Sequence, residues 1–538
     1  MTTGGGNQDI TVDVLIVGSG PIGATYARKL VEAGRSVYMV DAGARHSARP
    51  GEHLKNSFLY QRNLDLFASV IRGHLHTLSV PTNNRPALTL DPGAFRFDQK
   101  KYDGFVQNNQ NPEQDPEKNL PGVGVTYAVG GMATHWTCAT PRHHPTIERS
   151  DMYTNQEWDR LYTAGEELLN THKHEFDGSI RHMIVRDTLQ NEYSELPEAY
   201  GVQNLPLAVE RRKDNPDFVH WSGTDTVLGP LADGLQDAEP FILKQQHRCF
   251  KLVPTADGST VDHAVIQNLM EWGSYNVRAK THIVCCNAYL TPQVLYNSGI
   301  RPEPLGRYLT EQPMAFCQIV LSQSIIDAIR DDSRFTEKVE AHRKESPLDP
   351  VPFAIGESEP QVWIPVSDDR PWHCQVHRDA FHYGDVQPNV DSRLVVDLRW
   401  FAIVEPHPDS KLSFSDNHMD TFGMPQPTFQ WILDDDDRRK QHLMMADMLR
   451  AASALGGYLP GSEPTFVDPG LPIHTTGTVR MGESPDDSVV DQNSQVWGID
   501  NLFLGGNGLI PRGSASNPTL TSVAMALKAS EHIIESGK

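Results

Sequence analysis

The stretch VDVLIVGSGPIGATYARKLVEAGRSVYMVDAG, Val12 to Gly43, constrains this chain's fold more than any other. Val12–Val17, broken only by Asp13, is an apolar run of strand length, the pattern of a strand covered on both faces. Gly18, Gly20 and Gly23 follow at once as G-x-G-x-x-G. Ala24–Glu32 has helix-forming composition, Gly34 closes it, and SVYMVDAG is a second strand ending at Asp41. Together they form a βαβ unit, which commits the chain to a parallel sheet with helices on its faces. Gly18 permits the tight turn, Gly20 lets a pyrophosphate approach the backbone, and Gly23 allows close helix–strand packing. Free N–H groups at the helix start attract the phosphates. Asp41 stands 23 residues after Gly18, where it can accept from ribose hydroxyls and would repel a 2′-phosphate, so NADP is disfavoured. The motif alone leaves FAD and NAD open.

The βαβ pattern stops at Gly51 and its kind of residue returns only near Phe241. LDLFASVIRGHLHTL reads as helix and NNQNPEQDPEKN as a polar loop, which makes residues 51–114 an insertion. KTHIVCCNAYLTPQVLYNSGI reads as a strand (His282–Cys286), a small-residue turn and a helix from Thr291. SRLVVDLRWF is strand-like, RRKQHLMMADMLRAASALGG is helical, and the acidic run Asp434–Asp437 suits a helix's N-terminal end or a solvated loop. The chain closes with strand, glycine turn, loop and a last helix from about Pro518. The expected organisation is a discontinuous cofactor domain (1–50, 115–150, 240–312 and 462–538), an inserted arm (51–114) and a substrate domain (151–239 and 313–461). Ala288, Gly506, Asn507 and Thr519, in the glycine- and small-residue-rich later segments, are candidates to wall the cofactor. Such a layout suits a large flavin.

A net charge of −22 argues against nucleic acid and anionic membrane as partners. No apolar run reaches the roughly 18 residues of a membrane span, and the N-terminus lacks the marks of a secretory signal, so a cytoplasmic setting is expected. The six cysteines have neither metal-ligand nor disulfide spacing, and no metal is expected.

Two polar residues near the end carry the candidate chemistry. His474, in IHTTGT, is a natural base for removing a hydroxyl proton while hydride leaves the adjacent carbon. A histidine with a pKa near neutrality is expected there. Asn517 precedes Pro518 at the start of the last helix and can hold the substrate oxygen by hydrogen bonding. That helix N-terminus would face the flavin ring, where its N–H groups stabilise negative charge.

The motifs VGSGPIGA, NAYLTPQVLYNSGI, LGRYLTEQ, HTTGTVRMG and ASNPTLTSVAMALKA resemble the glucose–methanol–choline (GMC) family of FAD oxidoreductases. GGMATHWTCATPR, QVHRDAFHYG, DSRLVVDLRWF and MPQPTFQW narrow the likeness to the branch that oxidises free pyranoses at C2. The resemblance implies an α/β fold (α+β overall): a Rossmann-like FAD-binding domain and a sheet-based substrate-binding domain. It implies FAD, a monosaccharide substrate, O2 or a quinone as acceptor, and a homotetramer held partly by the inserted arm. Most of the family has a second histidine where this chain has Asn517, and the pyranose branch has the asparagine. By the same resemblance His135 of THWT is joined covalently to the flavin. Gly130 and Gly131 permit its approach, and Thr134, Trp136 and Thr137 line the ring. Gln375, His377, Asp379, Phe381, Tyr383, Arg399 and Phe401 fall at the branch's sugar-contact positions. Pro472 departs from the small aliphatic residue usual at the pocket wall, which bears on the substrate spectrum. Oxidation at C3, or a quinone-dependent dehydrogenase, would use the same residues.

Overall fold

The computed structural model describes residues 9–79, 111–234, 236–378, 386, 389–420 and 422–538. The fold is α/β, with two large sheets. The first is assembled from β1 (Ile10–Val17), β2 (Val37–Val40), β3 (Phe241–Lys244), β4 (His247–Pro254), β5 (Val261–Asn268) and β6 (Gly273–Val284). β1 lies between β6 and β2 and runs parallel to both, and β3 extends the parallel set beyond β2. Strands distant in sequence therefore complete the sheet that the first βαβ unit starts. The strand Leu502–Leu504 pairs in parallel with the end of β6, while β5 runs antiparallel along its beginning and β4 runs antiparallel to β5. The apolar run is explained by its place: Val14, Leu15 and Ile16 are wholly buried at the centre of the sheet.

α1 (Pro21–Glu32) follows β1, and α2 (Asn287–Asn297) follows β6. The sequence reading starts α2 at Thr291, four residues too late. Pro292 inside it lacks the N–H that would bond to Ala288, and the Thr478 hydroxyl donates to the Ala288 carbonyl instead, at 2.5 Å. A remote hydroxyl thus allows a helical turn that the local sequence discourages.

The second sheet holds β7 (Met314–Leu321), β8 (Gln361–Ile364), β9 (Trp372–His377) and β10 (Val395–Ala402) in the order β7-β10-β9-β8, all antiparallel. Side chains on a strand alternate between faces. In β9, Trp372, Cys374 and Val376 join the apolar core beneath the sheet, with Leu398, Trp400 and Ala402 of β10. His373, Gln375 and His377, and Arg399 and Phe401, therefore share the opposite face. The long helix α3 (Asp435–Leu455) packs on the core face, and its acidic start is a capping box between Asp434 and Asp437. The last helix, α4 (Thr519–Glu535), begins beside Pro518 and packs against α1 and against the helix Asn155–Leu169. In the inserted arm, Phe67 and Ile71 form a small buried cluster, while Phe58 and Leu59 are exposed. All six cysteines are free thiols, and among the described residues no helix is long and apolar enough to cross a membrane.

Candidate active site

A cavity of about 560 Å³ runs from the first βα turn to the start of α4. At one end are Gly18, Gly20 and Asp41; along it are His135, Trp136 and Thr137; at the other end are Pro472, His474, Asn517 and Thr519. Gly131, Ala288, Gly506 and Asn507 complete the wall. These residues are spread over most of the chain, and the fold alone brings them to one chamber.

The glycines act as their spacing requires. Gly18 has φ +102°, and a Cβ there would stand 2.5 Å from the Cys285 carbonyl oxygen. At Gly23 a Cβ would come within 2.0 Å of the Gly18 oxygen, so Gly23 underlies the turn rather than lining the cavity. Around Gly20 a Cβ would meet nothing within 4 Å; that space belongs to the cavity. α1 has no side-chain cap and no acidic residue in its first turn, so its N-terminus offers bare amides to a phosphate. Asp41 accepts from Ser19 N at 2.9 Å, Ser19 Oγ at 2.6 Å and Gly43 N at 2.7 Å. An ionised carboxylate has about four lone-pair directions, so one is left for a ribose hydroxyl. Burial raises the Asp41 pKa, against these hydrogen bonds. A dinucleotide fits this donor set and this open cradle.

His135 ends a tight turn whose geometry needs both glycines. Gly130 has φ +96° and Gly131 φ +55°, and a Cβ on Gly130 would stand 2.5 Å from the Gly51 Cα. The buried His135 ring meets the Thr126 hydroxyl through Nε2, at 2.8 Å. Thr134 does not line the cavity; its hydroxyl donates to the Gly131 carbonyl and braces the turn. Trp136 is fixed by its indole N–H, which donates to the Ser222 carbonyl at 2.8 Å.

The far end holds a hydrogen-bonded chain with a fixed direction. Gln312 Nε2 donates to the Ser516 carbonyl at 3.1 Å, so Gln312 Oε1 is the acceptor that faces His474 Nδ1 at 2.7 Å. Nδ1 therefore carries the proton, and the Nε2 lone pair accepts from Asn517 Nδ2 at 3.2 Å. Asn517 Oδ1 accepts from Gln375 Nε2 at 2.6 Å, and the other hydrogen of that amide goes to His373 Nε2 at 2.7 Å. Phe401 covers the His474 ring at 5.4 Å between centroids. Burial pushes the His474 pKa down to about 3, well below the near-neutral value expected from sequence. The ring is consequently neutral at physiological pH, which a proton acceptor needs. His373 is pushed down to about 3 by burial and by the neighbouring His474, His143 and His377.

Two buried carboxylates hold the loops that carry this pair, and sequence reading missed both. Glu311 Oε1 accepts from the Gln312 and His474 backbone amides, and Oε2 accepts from Thr475 Oγ1 at 2.6 Å. Desolvation raises Glu311 to about 7. Glu148 accepts from Ala515 N, Ser516 N and Ser516 Oγ and so fixes the approach to Asn517. Glu311 and Gln312 sit in the quoted motif LGRYLTEQ, but nothing local to that motif says what they face.

The sugar-contact residues are gathered only in part. Gln375 touches Asn517, Phe401 touches His474, and Pro472 lines the cavity. His377 and Arg399 are buried on the same sheet face but do not line the cavity, and Arg399 lies 3.6 Å from Asp397. Asp379, Phe381 and Tyr383 lie outside the described residues.

Comparison with known proteins gives the family. Family models for an FAD binding domain and for a GMC oxidoreductase match residues 11–76 and 406–526. The chain is 44% identical to pyranose 2-oxidase of Tricholoma matsutake, over 97% of this chain and 93% of that protein. The chain belongs to the GMC oxidoreductase family. As a GMC oxidoreductase it is a flavoprotein, and its cofactor is FAD. It is also 34% identical to C-glycoside 3-oxidase of Microbacterium trichothecenolyticum, over 97% of this chain and 96% of that one. A solved formate oxidase of Aspergillus oryzae RIB40 shares the fold at a TM-score of 0.67, with 14% identity, over 99% of each chain.

Proposed function

We propose that this GMC oxidoreductase oxidises glucose and related aldopyranoses at C2, giving 2-keto sugars. The observation that carries the reading is the pair at the end of the cavity, with the His474 Nε2 lone pair beside the Asn517 amide. A sugar hydroxyl within reach of both donates to Nε2 and accepts from Nδ2. Its proton passes to His474, and Asn517 holds the oxygen as it becomes a carbonyl. FAD, when bound, would supply the acceptor for the hydride leaving the same carbon, with O2 (giving hydrogen peroxide) or a quinone as the final electron acceptor. Gly18, Gly20, α1 and Asp41 would hold its pyrophosphate and ribose, and His135 would be its covalent attachment point. Gln375, Phe401 and Pro472 shape the sugar site, with His377 and Arg399 behind them on the same sheet face. The FAD-binding, arm and substrate-binding divisions of the sequence, a homotetramer and a cytoplasmic location belong to the same reading. Identities of 44% to a pyranose 2-oxidase and 34% to a C-glycoside 3-oxidase favour C2 over C3.

The test is to incubate the FAD-loaded protein with glucose, follow hydrogen peroxide and identify the keto sugar by NMR. 2-Ketoglucose with one peroxide per sugar is expected, and a general base is worth roughly 10²–10⁴-fold, so His474→Ala should lose about that much. A 3-keto product would move the assignment to C3. Turnover with quinone but not O2 would make it a dehydrogenase.

A further inference from the structure

We propose that Gln312 is a positioning residue that sets the tautomer of the catalytic histidine and couples its loop to that of Asn517. The inference rests on the reading of His474 as the proton acceptor. Gln312 hydrogen-bonds to both loops: its amide oxygen faces His474 Nδ1 at 2.7 Å, and its amide nitrogen donates to the Ser516 carbonyl at 3.1 Å. The second bond decides which end of the amide faces the ring. With Oε1 toward the ring, Nδ1 must carry the proton and Nε2 must be bare. The bare nitrogen is the one on the Asn517 side, where the substrate oxygen is held. The opposite tautomer would place N–H against the Asn517 amide and could accept nothing.

The neighbouring residue explains why an amide does this work. Glu311 spends its carboxylate on the backbone amides of Gln312 and His474 and on the Thr475 hydroxyl. The carboxyl group therefore grips the loop from below while an amide oxygen meets the ring. A carboxylate on Nδ1 would favour imidazolium and occupy the base with a proton before substrate arrives. The titratable groups packed around the ring are His373 on β9 and Glu311 beneath it. His143 and His377 lie beyond His373, and Tyr289 lies beyond Thr475.

The experiment compares wild type, Gln312→Met and Gln312→Glu, all FAD-loaded, by ¹⁵N-histidine NMR and by steady-state kinetics with glucose from pH 4 to 9. His474 resonances are assigned by their absence in His474→Ala. The wild-type ring is expected protonated at Nδ1 and bare at Nε2. Gln312→Met removes the acceptor, so the tautomers mix and kcat falls about tenfold or more, within the roughly 10²–10⁴-fold worth of a general base, while KM changes little. Gln312→Glu keeps the Nδ1 proton but raises the ring's pKa, so the acid limb of kcat/KM moves to higher pH. A wild-type ring protonated at Nε2 overturns the proposal without any variant. So does a Gln312→Met protein with wild-type ring spectrum, kcat and pH profile. Should the wild type oxidise no pyranose, the functional reading fails separately, and the ring spectrum still decides the tautomer.

Discussion

The face of the second sheet that carries Gln375 and Phe401 depends on one carboxylate on its other side. Asp447, in α3 (Asp435–Leu455), accepts through Oδ2 from Arg370 Nη2 at 2.5 Å, Trp372 Nε1 at 2.9 Å and Trp400 Nε1 at 2.8 Å. Its Oδ1 accepts from the Tyr193 hydroxyl at 3.2 Å. Trp372 and Trp400 belong to β9 and β10, whose opposite faces carry Gln375 and Phe401. Asp447→Asn keeps the shape but leaves a neutral amide oxygen for three donors that a carboxylate held, and hydrogen bonds to a charged group are the stronger ones, so weakening them costs roughly 1–3 kcal/mol. Arg370 loses its countercharge in a site where breaking a buried pair costs about 3–5 kcal/mol. The expected loss is about 4 kcal/mol, large against a typical stability of roughly 5–15 kcal/mol. Urea unfolding followed by tryptophan fluorescence measures it. A second variant sharpens the assay: Trp400→Phe removes one donor, so it should cost less in the Asp447→Asn background, with a coupling of about 1–3 kcal/mol. Glucose turnover should fall only a few-fold, because the residues facing substrate are untouched. An Asp447→Asn loss below about 0.5 kcal/mol, the level of an ordinary surface change, would refute the reasoning.

Gly23→Ala places a Cβ 2.0 Å from the Gly18 oxygen, a backbone atom that cannot give way without opening the cofactor turn. The purified variant should lack most of its FAD, read as the ratio of absorbance at about 450 nm to that at 280 nm; full retention would contradict the packing role. His135→Ala should release yellow flavin into the supernatant on acid precipitation, whereas wild type keeps it in the pellet. Stability should fall as pH drops from about 6.5 toward 4. His182 and His282 are pushed down to about 4, and His373 and His474 to about 3, so the unfolded chain takes up protons first. Glu311, raised to about 7, acts oppositely: its contribution is lost as pH rises from 4.5 to about 7. These four histidines, with His74, His76 and His143 lowered by burial in the same direction, outweigh the raised carboxyls, and a urea midpoint at pH 5 equal to that at pH 7 would contradict the sum.

Much of the fold is legible because it is local. The βαβ unit declares itself through an apolar run, three glycines with steric reasons, and an acid at the end of the next strand. The acidic run Asp434–Asp437 is visible as charge at a helix start, whereas the strand that carries Gln375 and His377 is not read from the sequence. What could not be read depends on distant partners. The start of α2 needs the Thr478 hydroxyl, 190 residues from the carbonyl it satisfies.

The candidate base shows the limit most clearly. Residue type alone suggests a His474 that titrates near neutrality, and its burial moves it far below. Its useful tautomer is set by Gln312, 162 residues earlier, whose own orientation is set by the Ser516 carbonyl. Glu311 and Gln312 are adjacent in sequence, yet one takes the backbone and the other the ring. If their order were reversed, the carboxylate would meet Nδ1 and hold the imidazole protonated. The motif can therefore be quoted whole from the sequence, while the reason for an acid followed by an amide appears only when the two loops are seen together.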